Sequence, residues 1–369
     1  MVPTLASLDV PVVMELYNVK TVGRSSIAKE IARRLNVTVR TAIRKIQGIE
    51  KLKREGLYLS VEYSLSRLGL KSIVILSEDE SLQFFLSQST KYFLRSYFQL
   101  IPRGIGAVLY APTTEEIPIP NLGGKKLVVE LTERMRNRVD LSFYGVRSIW
   151  DPARSNIEKS FALLRKDLNR LIKKELVYLD DALENKEMKF DWIDLAILKE
   201  LEKDPLQKLE EISKSTKLPV FKLRRHASNH VPFLLRGIRI QKLPIWEYFD
   251  AGVLLRIKSR DAGLLACLGE AFMRSPLFPM YSYSPINRNA LLQMKVPFPF
   301  VRTMADMIAE LGDDYGFDVD TDNVWLFAST GKRYSVPYIK WTEYIPKVKW
   351  NVKLVSSMLT KLGETQSEE

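Results

Sequence analysis

The stretch from Ser26 to Gly56, SIAKEIARRLNVTVRTAIRKIQGIEKLKREG, limits what this chain can fold into more than any other. Ile27, Ile31 and Leu35 recur at helical spacing, the pattern breaks at Asn36-Val37-Thr38, and Val39, Ala42, Ile43, Ile46, Ile49 and Leu52 resume it. The spacing predicts two helices joined by a tight turn. Asn36 tolerates the left-handed backbone such a turn needs, and the Thr38 hydroxyl is placed to cap the second helix. That helix sets Arg40, Arg44, Gln47 and Lys51 on one face and its apolar residues on the other. A helix-turn-helix requires this division, because the first helix must clamp the second while a basic face stays free for a DNA major groove. Basic amphipathic helices also serve as solvated surfaces or protein-binding modules, and the residues alone leave that alternative open.

Composition bears on the choice. The formal net charge is +12, and from Lys20 to Arg54 only Glu30 and Glu50 oppose the basic residues. Such a chain attracts polyanions, and Lys and Arg contacts to phosphates supply the sequence-independent part of DNA affinity. Charge alone fits RNA or a membrane surface equally. A length of 369 residues predicts two or more domains. Cys267 is the one cysteine, which excludes a disulfide framework or a cysteine-based zinc site and predicts a reducing compartment. No uncharged apolar run reaches the ~18–20 residues that span a bilayer. The expectation is a cytoplasmic, nucleoid-associated protein with no membrane partner.

Leu5 to Leu16 reads as a first helix behind this unit, and Leu57 to Tyr63 alternates as a strand where a wing would stand. The order IARRLNVTVRTAIRKI, then KLKREGLYL, then YSLSRLGL ending at Leu70, then KSIVIL resembles the leucine-responsive regulatory protein/AsnC family of bacterial and archaeal transcription regulators. The resemblance implies a winged helix-turn-helix followed by a hinge and a βαββαβ effector domain. The segments that follow are expected as a strand at Lys71–Leu76, a helix at Ser81–Phe93, a strand at Leu94–Ile101 and another at Ile105–Tyr110. A helix is expected at Lys125–Asn137, on the spacing of Leu127, Leu131 and Met135, and a strand at Val139–Val146. Asp151 to Lys189 has the spacing of a long helix: a spacer, a dimerising seam, or a helix packed on its own domain.

The chain then starts again. Phe190 to Leu201 repeats the order with which the family's first helix begins, and Glu211-Ile212 through Ala227 matches Glu30-Ile31 through Ile46 in spacing. A wing at Gly237–Leu243 and a second βαββαβ order from Ala251 to Ala328 complete a tandem repeat. The predicted fold is α+β, with two winged helix-turn-helix domains, each followed by a ferredoxin-like βαββαβ domain, joined by a long helix. The expected boundaries are 1–63, 64–150, 151–189, 190–248 and 249–369, the last with a C-terminal extension packed over Tyr338–Leu362 and frayed from Gly363 to Glu369.

Double-stranded DNA is the expected partner. Its expected readers are Thr38, Arg40, Thr41, Arg44, Lys45, Gln47 and Lys51 in the first unit. In the second they are Lys222, Arg224, Arg225, His226, Asn229 and Arg239. Unlike helices would read two unlike half-sites of an asymmetric operator, with the halves paired within one chain or two chains forming a homodimer. Pro219 and Lys217 stand where Thr38 and Asn36 stood, so the second reader is also readable as a degenerate packing module. His226 and His230 have the i, i+4 spacing that metals exploit, yet no Glu or further His joins them in sequence. The family's Gly-x-x-Asp segment is missing at Arg103–Ala107 and at Asn287–Ala290, which leaves a small-molecule effector open. No catalytic constellation, cofactor loop or metal set emerges, so no enzymatic activity is expected. An architectural nucleoid protein and an interaction scaffold of a transcription or replication complex are the rival readings.

Overall fold

The computed structural model describes residues 8–82, 94–113, 119, 122–145, 157–173, 190–249 and 251–333. Helices α1 (Val10–Leu16), α2 (Arg24–Leu35) and α3 (Val39–Lys51) lead into strand β1 (Tyr58–Tyr63). Asn36 ends α2 in the left-handed region at φ 53°, and Thr38 Oγ1 accepts from the Thr41 amide at 3.1 Å. That bond satisfies one of the donors a helix start leaves unpaired. Ile27, Ile31, Ala42, Ile46 and Ile49 are buried between the helices.

Strands β2 (Leu70–Ser77), β3 (Leu94–Ile101), β4 (Ile105–Pro112), β5 (Lys126–Leu131) and β6 (Glu133–Arg136) follow, then helices α4 (Leu141–Tyr144) and α5 (Ile157–Lys173). A second helical set comprises α6 (Trp192–Lys203), α7 (Leu209–Thr216), α8 (Val220–Asn229) and α9 (Val231–Leu234), and it enters β7 (Leu235–Lys242). The chain continues through β8 (Ala251–Lys258), α10 (Ala262–Arg274), β9 (Met280–Ser284), β10 (Asn289–Val296), α11 (Val301–Tyr315), β11 (Asp318–Val319) and β12 (Trp325–Arg333). The architecture is mixed α+β on one large antiparallel sheet.

That sheet runs β5-β2-β4-β3-β12-β8-β10-β9-β6, with β11 beside β8. Its two ends, β5 and β6, are separated in the chain by Thr132 alone, whose amide donates to the Tyr283 carbonyl at 3.1 Å. The sheet therefore curls back on itself. Side chains alternate between faces along each strand. Val74, Leu76, Leu254, Leu291 and Phe327 form one apolar cluster within the curl. Ile73 and Ile75 belong to a second cluster, and Leu255 and Leu292 pack with α10 and α11 in the main core. Each fully buried Leu, Ile or Phe contributes about 1.5–3 kcal/mol relative to exposure.

Three antiparallel pairings join the first half of the chain to the second: β1 with β7, β3 with β12 and β6 with β9. The halves thus pair within one chain. At the first of these junctions Gly237 sits at φ 131°, and a Cβ there would stand 2.0 Å from the Tyr17 carbonyl oxygen. Only glycine lets β7 come so close to the end of α1.

Several expectations change. Lys125–Asn137 is not a helix but β5 and β6: the buried Leu127, Val129 and Leu131 lie two apart, so the apparent helical spacing of Leu127, Leu131 and Met135 is equally a strand's. The expected strand at Val139–Val146 is not one over its described residues, Val139–Gly145: Asp140 accepts from the Phe143 amide at 3.2 Å and starts α4. Phe161, Leu164 and Leu168 of α5 are buried in the same core as Leu265 and Leu268 of α10, and Asp167 meets Arg274 at 3.3 Å. Between Ile157 and Lys173 this segment is a helix packed on its own chain. The rest of the expected long helix, most of the expected helix at Ser81–Phe93 and the tail beyond Arg333 lie outside the described residues.

Candidate anion-binding site

The curl opens at one end into a cavity of about 380 Å³, within the size range of small-molecule sites. Strand alternation decides what lines it. In β6, Arg134 and Arg136 are two residues apart and face inward together, while Met135 between them packs outward on the main core. Arg95 of β3 joins them, and α6 delivers Glu202 from the second half of the chain. Val74, Val108, Leu254, Leu291 and Phe327 form the apolar wall, with Ser72, Ser282 and Gln293 among the polar lining.

Glu202 is 5% exposed and anchors the charges. Its Oε1 accepts from Arg95 Nη2 at 2.8 Å and from Tyr63 Oη at 2.9 Å, with Arg136 Nη2 at 3.5 Å and Arg134 Nη2 at 4.0 Å. The Arg134 guanidinium also lies 5.3 Å from the Tyr63 ring centre and 5.4 Å from that of Tyr110. Burial alone would raise the Glu202 carboxyl, but Arg95, Arg136 and Arg134 outweigh it and hold it below the usual range. Burial, then Glu202, pushes Tyr63 up to about 12, so it stays a donor. Burial pushes Arg134 down, with Arg136 beside it adding to the effect, and Arg136 is lowered as well.

The guanidinium groups of Arg95, Arg134 and Arg136 thus all lie within 4.0 Å of Glu202 Oε1 in a desolvated space. Arg134 Nε and Nη2 and Arg136 Nη1 are buried with no hydrogen-bond partner among the described residues. A buried donor left unmade costs about 1–3 kcal/mol, more when charged. An anion entering the cavity would relieve that cost.

The residues singled out in the sequence lie elsewhere. Thr38, Arg40, Arg44, Gln47 and Lys51 are exposed on α3, Thr41 is half-buried at its cap, and Lys45 is paired with Asp9. Lys222, Arg224, Arg225 and Asn229 are exposed on α8. His226 is buried, its Nδ1 2.9 Å from Asp194 Oδ1, and His230 Nδ1 is 3.2 Å from Asp194 Oδ2. Arg239 is 5% exposed, with its Nε 2.5 Å from Glu62 Oε2. His226 and Arg239 therefore face protein rather than a groove, and the two strands expected as wings, β1 and β7, are paired with each other.

No protein-family model matches the chain, and no curated protein matches it. Among solved structures it is similar to the siroheme decarboxylase NirDL, with 11% identity over 96% of this chain and 99% of that one, at a TM-score of 0.47. It is also similar to NirDL in co-complex with an iron-uroporphyrin III analogue, with 11% identity over 90% and 96% of the two chains, at a TM-score of 0.42.

Those structures are of an enzyme. The expectation of a transcription regulator of the leucine-responsive regulatory protein/AsnC family, the rival nucleoid and scaffold readings and the expected lack of enzymatic activity are set aside on this finding, and neither DNA as partner nor nucleoid association finds support in it. No helix among the described residues is long and apolar enough to cross a membrane.

The sequence reading missed Arg95, Arg134, Arg136 and Glu202. The available signal was Arg134-Met135-Arg136: read as a strand, it puts two cations on one face and an apolar side chain on the other. Read as a helix, the same three residues are only a charged stretch.

Proposed function

We propose that this chain is an enzyme whose cavity holds an organic substrate by its carboxylate groups. The observation that carries the reading is the set of buried donors of Arg134 and Arg136 that find no hydrogen-bond partner among the described residues and belong to side chains lining the cavity. The planar guanidinium fork matches a carboxylate bidentately. The apolar wall of Val74, Leu254, Leu291 and Phe327 would take the body of the molecule. Perturbed titratable groups in a cleft mark functional sites more often than ordinary surface. An arginine that holds its proton less tightly is also a stronger donor toward negative charge developing on a bound substrate.

The finer layout that we infer is two winged helix-turn-helix units, at 1–63 and 190–248, and two sheet-forming units, at 64–150 and 249–369, with 151–189 between them; the second keeps the βαββαβ order, whereas the first runs through β5 and β6 where a second helix was expected. The order of helices followed by a strand in each half, three before β1 and four before β7, supports it. In this reading the winged units close one end of the cavity, as α6 does with Glu202.

The test is thermal unfolding of the full chain at fixed salt with phthalate, its neutral diamide, inorganic phosphate and siroheme, the compound in the name of the matched proteins. A saturating ligand raises stability by about 2.7 kcal/mol at a hundred times its dissociation constant. Saturable stabilisation by phthalate or siroheme, absent with the diamide and abolished by Arg134→Met, is expected. Equal shifts with the diamide, or none with any carboxylate, would overturn the reading.

A further inference from the structure

We propose that Asp194, His226 and His230 form a binding site for one divalent metal ion of the zinc type. The i, i+4 spacing puts both imidazoles on one side of α8 and its end, and the third ligand, hidden from the sequence pattern, comes from the first turn of α6. His226 Nδ1 and His230 Nδ1 stand 2.9 Å and 3.2 Å from the two oxygens of Asp194. One ligand atom from each of the three residues falls within 4.8 Å of the others. Zinc bonds of about 2.0–2.2 Å in a tetrahedral shell separate ligand atoms by about 3.4 Å, so small shifts close the set around an ion.

The surroundings suit this role. The Asp194 side chain has no solvent exposure, and its Oδ2 accepts the Asp191 amide at 2.9 Å, which fixes the carboxylate as outer partners fix metal ligands. The imidazole rings lie 4.8 Å apart at 83° to each other. His230 is 34% exposed and leaves an entry, and Asp191 Oδ1, 3.6 Å from His226 Nδ1, stands near enough to supply a fourth position. One carboxylate with two neutral imidazoles gives a net charge of −1 for a dication. Two nitrogens and one oxygen favour Zn²⁺, Co²⁺ or Ni²⁺ over Mg²⁺ or Ca²⁺. An ion there ties α6 to α8 at one end of the helix whose other end carries Glu202, about 12 Å away at the rise of a helix. The inference does not depend on the cavity's ligand.

The full chain, stripped with a chelator, is titrated with Zn²⁺ by calorimetry at neutral pH in excess Mg²⁺, and with Co²⁺ by visible absorption. One ion per chain and cobalt bands of a nitrogen and oxygen shell are expected. His230→Ala, at the partly exposed ligand, should lower Zn²⁺ affinity by at least about tenfold, with His226→Gln as a second variant. Without an ion the three residues are only a hydrogen-bonded group, in which each Nδ1–H donates to Asp194. Absence of stoichiometric binding, or binding unchanged in both variants, would leave that as the sole role and overturn the proposal. Should the variants fail to fold, the wild-type cobalt spectrum decides: no bands at one equivalent sinks it.

Discussion

Arg95 and Glu202, 107 residues apart in the chain, are joined by a hydrogen bond of 2.8 Å in the floor of the cavity. One belongs to a strand of the first half and the other to a helix of the second, so the charged end of the cavity exists only when the halves are paired. The bond is also a constraint on stability. Breaking a buried pair by removing one partner leaves the other uncompensated, at a cost of about 3–5 kcal/mol. Glu202→Gln should lose stability of that order in urea unfolding, and a carboxylate ligand should restore more stability to this variant than to the native chain.

Acid should act through the same group. The folded Glu202 holds its carboxyl below the usual range, so it contributes stability that is fully present above its unfolded pKa, about 4.3. That contribution is lost as pH falls from there through the lower folded value. Unfolding free energy measured from pH 6 downward should decline less steeply in Glu202→Gln than in the native chain. Parallel curves would assign the acid sensitivity to other carboxylates.

Gly237 tests the junction of the halves. A Cβ there would stand 2.0 Å from the Tyr17 carbonyl oxygen at a φ of 131°. Gly237→Ala must push β7 away from α1 and disturb its pairing with β1, and a loss of about 2 kcal/mol or more is expected from backbone strain of this kind. Amide exchange across β1 and β7 should quicken in the variant.

The exposed basic face of α3 is the complementary control. Arg40→Ala/Arg44→Ala removes two exposed charges far from the cavity lining, and should leave stability within about 0.5 kcal/mol and carboxylate binding unchanged. A carboxylate affinity that fell with this double variant would move the anion site to the helical face.

Local structure was legible wherever one signal stood alone. The β3 boundaries, the left-handed Asn36 and the Thr38 cap follow from alternation and turn chemistry. Lys125–Asn137 fits either period because a four-residue spacing is a multiple of two, and the buried Val129 decides for the strand. The cavity was hidden for a different reason. Arg95, Arg134, Arg136 and Glu202 come from β3, β6 and α6, and nothing local marks Glu202, near the end of a helix buried on most sides, as the acid that meets the three arginines. Asp194 likewise reads as a helix-capping residue, which it is, while its carboxylate also receives both histidines.

The central claim, that the cavity is built for an anion, is tested most directly by Arg134→Met. The substitution removes a desolvated cation crowded by Arg136 and fills its space with an apolar chain. Stability without ligand and phthalate affinity are measured side by side. The account predicts unchanged or higher stability together with loss of phthalate binding by about tenfold or more, since a charge-assisted contact is worth about 1.5–3 kcal/mol. Lower stability with undiminished phthalate affinity would mean that the arginines hold the fold together and that the anion, if any, binds elsewhere.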